Sequence, residues 1–354
     1  MKPSLVIRAD AGTLHGTGHL VRCLALAQRW HSQGGHVHIV SACESEELCQ
    51  SIAREGFRFT PVHHPFPDSA DWDLLAPVLR DHEETWVVLD GYHFNSVFQS
   101  RIKKTGCRLL VIDDLATLPH HYADVLLNQN IHAPDLHYHC EPYTQLLLGN
   151  RYALLRSDFL TWRDWQRDIP PVAHKLLVTL GGSDPQNQTA KVIGALNHLA
   201  MKGLETLVIV GPANDRVDSL QSVVRTSGVS ARLVTSPPSM AELMAWADVA
   251  ISAAGSTCWE LAFMGVPSLM LVLADNQQPI AERNSEAEAG VNLGWSHGVT
   301  ERQIAHSLST LIHDRSRRER MSRKGRDLID GWGSHRVISV LGVKAESARA
   351  SFQH

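Results

Sequence analysis

The sequence predicts an α/β protein with two domains, each built on a parallel β-sheet. The chain has 354 residues, which is more than a single hydrophobic core usually serves. In both halves, short β-branched apolar runs alternate with amphipathic stretches of helical period. This alternation is typical of β-α-β units, whose parallel strands are covered by helices on both faces. We therefore expect two Rossmann-like domains whose sheets face a cleft.

The first predicted domain spans residues 1–150. Its predicted strands are residues 5–8, 36–40, 86–89, 109–112 and 125–127. Residues 131–144 are rich in His, Pro and Tyr without a clear period, and we expect them to form a long functional loop or lid. Residues 151–172 combine tryptophans and charges with a final Pro-Pro pair, which suits a linker helix ending between domains.

The second predicted domain spans residues 173–330 and repeats the alternation. Its predicted strands are residues 175–179, 207–210, 233–234, 249–252 and 268–273, and its predicted helices are residues 188–199, 240–247 and 257–263. Residues 331–354 are expected to form a C-terminal helix that packs back on the first domain.

Composition restricts the partners. A net charge of −4 argues against a nucleic-acid binder. The basic run at residues 315–326 has acids on both sides and is interpreted as a solvated helix face, with an anionic surface partner as the alternative. The sequence has no uninterrupted apolar run of about 18 residues, so no membrane span is predicted. A small-molecule substrate is therefore expected, and the sequence predicts no particular oligomeric state.

The cysteines and histidines bear on compartment and metal. The six cysteines form no C-x-x-C pair, and the N-terminus passes into a strand without a leader, so reduced thiols in a cytoplasmic protein are expected. The 21 histidines include no H-E-x-x-H motif and no closed Cys/His cluster. We predict neither a metal nor a cofactor.

The first glycine turn reads His-Gly-Thr-Gly-His at residues 15–19, between a predicted strand and a predicted helix. Backbone N–H groups and the positive end of the helix dipole meet there, which suits an anionic ligand near Gly16 and Gly18. The same dipole would keep His19 neutral and able to accept a proton. The alternative is a tight turn in which His19 only starts the helix. Arg22 either lies on the same side of the helix as His19, facing the ligand, or is an exposed arginine.

Two further turns lie in the second domain. The motif Leu-Gly-Gly-Ser-Asp-Pro at residues 180–185 again follows a strand, and ordinary turn chemistry is its alternative. The motif Ala-Ala-Gly-Ser-Thr-Cys-Trp-Glu at residues 253–260 could hold a diphosphate near Gly255 and a ribose diol on Glu260. Its alternative is a Thr-x-x-Glu capping box. The segment Asp-Asn-Gln at residues 275–277 adds polar groups at the same edge.

Carboxylates also follow three strands of the first domain. Asp10, Asp90 and the pair at residues 113–114 stand at strand ends, where they either face a ligand or cap the following helix. Nothing resembles G-x-S-x-G, which argues against a serine hydrolase.

Taken together, these segments resemble one family over nearly the whole chain. The motifs are R-A-D-A-G, H-G-T-G-H-L-V-R-C-L-A-L-A, V-V-L-D-G-Y, V-I-D-D-L-A, A-D-V-L-L-N-Q-N, L-L-G-N-R-Y-A-L-L-R, L-G-G-S-D-P-Q-N-Q-T, A-A-G-S-T-C-W-E and A-D-N-Q. They look like the UDP-2,4-diacetamido-2,4,6-trideoxy-β-L-altropyranose hydrolases of pseudaminic acid biosynthesis. The resemblance implies a GT-B-like fold, similar to that of the MurG-like glycosyltransferases.

The resemblance also implies roles for matching residues. His19 corresponds to the proposed base that activates water, Tyr92 and Asn276 fall in active-site segments, and Glu260 fits the carboxylate that holds the nucleotide ribose. The family pattern has isoleucine at the place of His15, so no role is assigned to His15. The predicted catalytic residues are His19, Tyr92 and Asn276. The predicted substrate contacts are Asp10, Gly16, Gly18, Arg22, Gly181, Gly182, Ser183, Asp184, Gly255, Ser256, Thr257, Glu260 and Gln277.

The expected reaction is attack of water at the anomeric carbon of a UDP-sugar, with inversion and without a metal. The main alternative is a GT-B glycosyltransferase that uses an acceptor hydroxyl. A UDP-hexosamine 2-epimerase and a non-catalytic nucleotide-sugar binding module are further alternatives.

Overall fold

The structure is a computed structural model that describes residues 3–12, 16–80, 85–199, 201, 203–235 and 237–342. His15 and residues 343–354 of the expected C-terminal helix lie outside the described residues. The described chain forms two parallel sheets, one from each half, as predicted.

The first sheet has seven strands in the order β3-β2-β1-β4-β5-β6-β7, and every pairing is parallel. The strands are β1 (Ser4–Ala9), β2 (His36–Ser41), β3 (Arg58–Pro61), β4 (Trp86–Asp90), β5 (Arg108–Ile112), β6 (Val125–Asn128) and β7 (Gln145–Leu148). The helices are α1 (Gly18–Ser32), α2 (Glu46–Arg54), α3 (Ser69–Arg80), α4 (Ser96–Lys103) and the short α5 (Ser157–Leu160). The five strands predicted here are confirmed, and β3 and β7 are additional.

The second sheet has six strands in the order β10-β9-β8-β11-β12-β13, again all parallel. The strands are β8 (Lys175–Thr179), β9 (Glu205–Ile209), β10 (Ala231–Val234), β11 (Val249–Ala253), β12 (Ser268–Val272) and β13 (Val291–Trp295). The helices are α6 (Gln188–Leu196), α7 (Val217–Ser227), α8 (Met240–Trp246), α9 (Thr257–Phe263), α10 (Gln278–Glu286), α11 (Glu301–His313), α12 (Arg315–Leu328) and α13 (Gly333–Val340). Strand β13 and helices α7 and α10 were not predicted.

Helix α1 shows why the sequence folds this way locally. Leu20, Leu24 and Ala27 recur at helical spacing and are buried against the apolar side chains of the central strands. Because helices cover both faces of the sheet, β4 and β5 are apolar almost throughout, and polar residues gather where these strands end. The carboxyl ends of the strands therefore form the polar edge of each sheet.

The linker differs from the expectation of a helix over residues 151–172. Only Ser157–Leu160 is α-helical, and a 3-10 turn covers Asn150–Tyr152. Tertiary contacts hold the rest, because Trp162 and Trp165 pack against the second domain's core and Arg167 donates hydrogen bonds to backbone carbonyls there, including that of Met264 at 3.1 Å.

The described part of the C-terminal segment, to residue 342, crosses back to the first domain. Val337 and Ile338 of α13 belong to the first domain's core, and Trp86 Nε1 donates to the carbonyl of Leu341 at 3.0 Å. The interpretation of the basic run as wholly solvated was wrong at one position. Arg318 is fully buried, and its Nη2 donates to the carbonyls of Pro170 and Pro171 at 3.0 and 2.9 Å.

Candidate active site

The two polar sheet edges meet across a cleft. Asn276 Nδ2 of the second domain donates to the Tyr92 hydroxyl of the first at 2.9 Å. A methyl group built on Gly182 would lie 2.4 Å from Thr17 Oγ1 of the opposite domain, so this glycine permits a close approach. The three predicted glycine turns therefore face the same space.

His19 is the second residue of α1 and is nearly buried. Its Nδ1 lies 2.7 Å from Oδ1 of Asp90, the last residue of β4. Burial on its own raises the pKa of Asp90, but the Arg22 guanidinium and the His19 ring lower it to well below its ordinary value. Because an ionised carboxylate only accepts hydrogen bonds, Nδ1 carries the imidazole proton. Nε2 is then the nitrogen that can accept a proton from water.

Arg22 is held between two carboxylates. Its Nε donates to Asp90 Oδ2 at 2.6 Å, and its Nη1 donates to Asp114 Oδ2 at 2.7 Å. Desolvation opposes its charge, but Asp114 and Asp90 raise the pKa of Arg22 above its ordinary value. The guanidinium is therefore committed to the interior of the first domain, where it fixes the carboxylate that orients His19.

Tyr92 connects this cluster to the cleft. Its hydroxyl donates to Asp114 Oδ2 at 2.9 Å, and its ring stands edge-on to the His19 ring with centroids 4.6 Å apart. Desolvation and the Asp114 carboxylate raise the pKa of Tyr92 well above its ordinary value. The phenol is thus protonated at neutral pH and acts as a hydrogen-bonding group. Asn130 completes the cluster by donating to Asp114 Oδ1 at 2.6 Å.

The turn before α9 is open on the cleft side. A Cβ on Gly255 would meet only Gln277 Nε2, at 3.8 Å, and a Cβ on Gly18 would meet only Ser256 Oγ, at 3.7 Å. Ser256 precedes α9 but makes no side-chain capping bond, and Thr257 is the first helical residue, so the alternative of a Thr-x-x-Glu capping box is not formed. The hydroxyl of Ser256 is not used in capping the helix.

Glu260 stands one turn into α9 and is largely buried. Its Oε1 lies 3.6 Å from Nη2 of Arg156, which is longer than a hydrogen bond. Burial raises the pKa of Glu260, and Arg156 only partly offsets this effect. The carboxylate therefore retains capacity to accept hydrogen bonds from a ligand.

Other predicted site residues hold the local structure. Asp184 is buried and accepts the backbone N–H groups of Gln188 and Thr189 at 2.8 Å each, which is the ordinary turn and capping chemistry considered above. Gly181 has a φ of +89° within the same turn. Ser183, next to it, is half-buried.

On the first domain, Asp10 is 2% exposed and is paired with Arg8 and with His93, whose Nε2 lies 3.0 Å away. Gly16 accepts the N–H of Gly12 at 3.1 Å and closes the first glycine turn. Asp10 therefore ties the end of β1 to the segment that carries Tyr92.

Three residues that the structure brings into the site were not among the predicted site residues. Asp90 ends β4 and Asp114 follows the neighbouring strand β5, and the sequence analysis had left both open between facing a ligand and capping a helix. Arg156, beside Glu260, stood only as the last residue of the motif L-L-G-N-R-Y-A-L-L-R.

Within the described part of the chain, no group of three or more His, Cys, Asp and Glu side chains could hold a metal ion. The six cysteines are unpaired. None of the helices that the structure describes is both long and apolar enough to cross a membrane.

Sequence comparisons match the chain to one family model and to several curated proteins. Residues 176–330 match the model of the glycosyltransferase family 28 C-terminal domain. The chain is 24% identical over 337 residues to the spore coat polysaccharide biosynthesis protein SpsG of Bacillus subtilis, covering 95% of this chain and 96% of that one. It is 27% identical over 194 residues to the pseudaminic acid cytidylyltransferase and UDP-2,4-diacetamido-2,4,6-trideoxy-beta-L-altropyranose hydrolase of Helicobacter pylori, covering 54% of this chain and 34% of that one.

Solved structures give the same architecture. MurG of Acinetobacter baumannii superposes with a TM-score of 0.64 at 16% identity, over 97% of this chain and all of that one. UGT2 of Phytolacca americana, complexed with UDP-2-fluoro-glucose and pterostilbene, superposes with a TM-score of 0.64 at 14% identity, over 97% and 99% of the two chains. The protein has the two-domain α/β fold of the GT-B glycosyltransferases, with two parallel sheets, as the sequence predicted.

Proposed function

We propose that this protein is a nucleotide-sugar hydrolase that releases UDP from a UDP-2,4-diacetamido-2,4,6-trideoxy-hexose. The observation that carries the proposal is the pair formed by His19 and Asp90 at the mouth of the cleft, with Nδ1 and Oδ1 2.7 Å apart. An imidazole oriented by a buried carboxylate can act as a general base. Its target is a water molecule beside the anomeric carbon.

In the proposed step, the water oxygen forms a bond to the anomeric carbon. The bond from that carbon to the diphosphate oxygen breaks, and its electron pair leaves with UDP. The water proton passes to His19 Nε2, while Asp90 stabilises the resulting imidazolium. Direct attack by water gives inversion at the anomeric carbon.

The second domain is assigned to the nucleotide. The open turn at Gly255 and Ser256 lets a diphosphate approach backbone N–H groups, and the weakly paired Glu260 accepts the two ribose hydroxyls. UDP is a good leaving group, so the site needs hydrogen-bond donors at the diphosphate more than an acid. Asn276 and Tyr92 lie where the two domains touch and, in this proposal, enclose the sugar.

Two of the comparisons, one with a relative and one with a family model, support different interpretations of the acceptor. The likeness to the Helicobacter pylori protein, whose name includes a UDP-sugar hydrolase, favours water. The match of residues 176–330 to a glycosyltransferase domain favours a sugar hydroxyl, so glycosyl transfer is the second candidate. Both candidates share the nucleotide site and the base, and differ in what occupies the space beside His19.

Incubation with a panel of UDP-sugars, without any acceptor, tests the proposal. We expect UDP release at a steady rate with the 2,4-diacetamido members. In water enriched in oxygen-18, the label should enter the sugar hydroxyl and not the phosphate, and NMR of the anomeric proton should show inversion.

Other outcomes overturn the hydrolase. Turnover only after an acceptor is added identifies a glycosyltransferase. An epimerised UDP-sugar identifies an epimerase. Tight binding without turnover, unchanged in a His19→Asn variant, identifies a binding module.

A further inference from the structure

Two cysteines lie in contact at the start of α2. Cys43 follows β2, and Cys49 is the fourth residue of α2. The Cys49 thiol donates to the Cys43 carbonyl at 3.8 Å, and the two thiols are within hydrogen-bonding reach of each other. Both are free thiols. Five residues separate them in the sequence, so the pair lacks the C-x-x-C spacing and is brought together by the fold.

The N-terminal cap of α2 accounts for this contact. The Ser45 side chain accepts the N–H of Leu48 at 3.3 Å, and the Ser45 carbonyl accepts the N–H of Cys49 at 3.0 Å. The Cys43 thiol donates to the same carbonyl at 3.5 Å. Because both cysteines hydrogen-bond to one peptide group, the helix cap holds them at a fixed separation.

The pair is accessible to small reagents, because Cys43 and Cys49 are only half-buried. Burial raises the pKa of the Cys43 thiol to about 12, and the Cys49 thiol adds to this shift. Cys43 is therefore protonated at neutral pH, which suits the second of two thiols to react with an oxidant. Three other cysteines are buried: Cys23, Cys107 and Cys258.

Cys43 is linked to the segment that leads into the first glycine turn. The N–H of Ala11 donates to the carbonyl of Ala42 at 2.9 Å, and the N–H of Glu44 donates to the carbonyl of Ala11 at 3.0 Å. The N–H of Ala42 also donates to Oδ1 of Asp10 at 2.7 Å. The residues on both sides of Cys43 are thus bonded to Ala11, so a bond that fixes Cys43 to α2 would also restrain the segment at Ala11.

We propose that Cys43 and Cys49 form a reversible redox site, which a peroxide oxidises to an intrachain disulfide, and that this disulfide restrains the segment at Ala11. The Cys49 sulfur attacks one peroxide oxygen, the O–O bond breaks, and Cys49 becomes a sulfenic acid while its proton leaves in a water molecule. The Cys43 sulfur then attacks the Cys49 sulfur. The S–O bond breaks, and the departing hydroxide takes the Cys43 proton and leaves as a second water. The two thiols together lose two electrons, which reduce the peroxide. The proposal does not depend on the function proposed above.

Mass spectrometry tests the disulfide. The full chain is treated with hydrogen peroxide, alkylated with iodoacetamide and digested with trypsin without reductant. The peptide of residues 30–54, whose only cysteines are Cys43 and Cys49, should be lighter by two hydrogens and carry no alkyl group. Dithiothreitol given before alkylation should restore two alkylation sites. Cys43→Ser and Cys49→Ser should each abolish the loss of two hydrogens.

Cys140→Ser is the matched control. Cys140 is also half-buried, but its thiol donates to the carbonyl of Tyr138 at 3.8 Å, so this variant should form the disulfide as the parent does. Separate oxidation of Cys43 and Cys49 to sulfinic acids, or disulfide-linked dimers in place of the intrachain bond, would show that the two thiols do not form the proposed site.

Amide hydrogen exchange tests the link to the turn. In the oxidised parent, the amides of Ala11 and Glu44 should exchange about tenfold or more slowly than in the reduced parent, because a cross-link that closes a short loop restricts the opened state. Peroxide should leave these rates unchanged in Cys43→Ser. If the disulfide forms and both rates stay the same, the segment at Ala11 is not restrained by it, and that part of the proposal is wrong.

Discussion

The Tyr92 hydroxyl accepts a hydrogen bond from Asn276 Nδ2 at 2.9 Å, across the cleft between the domains. The same hydroxyl donates to Asp114, and the same ring contacts His19. Asn276 is followed by Gln277, whose side-chain Nε2 would be the nearest atom to a Cβ built on Gly255. One hydrogen bond thus joins the segment proposed to hold the diphosphate to the segment that carries the base.

This contact predicts that Asn276→Ala lowers kcat/KM about three- to tenfold, the effect expected for the loss of one neutral hydrogen bond. Tyr92→Phe removes the other partner. If both side chains act through this one hydrogen bond, the loss of kcat/KM in the double variant should be smaller than the product of the losses in the two single variants. Asn197→Ala, exposed at the end of α6, is the control. Strictly multiplicative effects would contradict the coupling.

His19→Asn should lower kcat by roughly 10²–10⁴-fold, the usual contribution of a general base. The affinity for UDP should stay the same, because the nucleotide is assigned to the opposite domain. Initial rates of UDP release and calorimetry with UDP measure the two effects. A variant that keeps more than a tenth of the parent rate would remove His19 from the mechanism.

Asp90→Asn tests how His19 is oriented. An amide can donate to Nδ1, which favours the tautomer with the proton on Nε2 and removes the acceptor for water. We expect a loss of at least 10²-fold in kcat, by analogy with general-base catalysis, and no further loss in the double variant with His19→Asn. Asp73→Asn is the matched control, because Asp73 is exposed on α3. Thermal unfolding must be followed, since Asp90 also holds Arg22.

Much of the fold could be predicted because the central strands are continuous apolar runs. Strands β1, β4 and β8 are buried on both faces, so hydrophobicity alone marks them. Three of the four edge strands of the described sheets, β3, β7 and β13, escaped prediction for the opposite reason. All five residues of β13 are half-buried, and its sequence is interrupted by Asn292 and Gly294.

The sequence predicted only those parts of the candidate site that a local motif forms. The glycine turns stand between a strand and a helix, and their order in the sequence is sufficient to identify them. The partner of His19 depends instead on sheet order, because β4 pairs with β1 and places Asp90 beside Ala9, 81 positions earlier in the chain. Such a register between distant segments leaves no local pattern.

The position of Gly182 predicts that a larger side chain there would keep the two domains from approaching each other. A methyl group there would lie 2.4 Å from Thr17 Oγ1, so Gly182→Ala should hold the domains apart and lower kcat/KM at least tenfold. Thr17→Ala removes the opposing hydroxyl and should restore part of the loss in the double variant. Gly298→Ala, whose nearest neighbour would be 3.5 Å away, is the control. Full activity of Gly182→Ala would show that the two turns need not approach.

Glu260 predicts how UDP affinity depends on pH. Burial raises the pKa of Glu260 above its ordinary value near 4.5, with Arg156 opposing the shift and Asp158 adding to it. In the proposed site, the ionised carboxylate accepts the ribose hydroxyls. As the pH falls through the raised pKa, protonation removes this acceptor, so affinity should begin to fall at a pH above the usual carboxyl range.

Calorimetry with UDP between pH 4.5 and 8, on the parent and Glu260→Gln, measures this effect. The glutamine variant should bind UDP about ten- to a hundredfold more weakly at pH 8, because a hydrogen bond to a charged group is lost. The two proteins should converge as the pH falls, and because the UDP phosphates titrate identically in both experiments, the difference belongs to Glu260. Glu282→Gln, on the exposed face of α10, should follow the parent. A constant ratio of the two Kd values across the pH range would place the ribose away from Glu260.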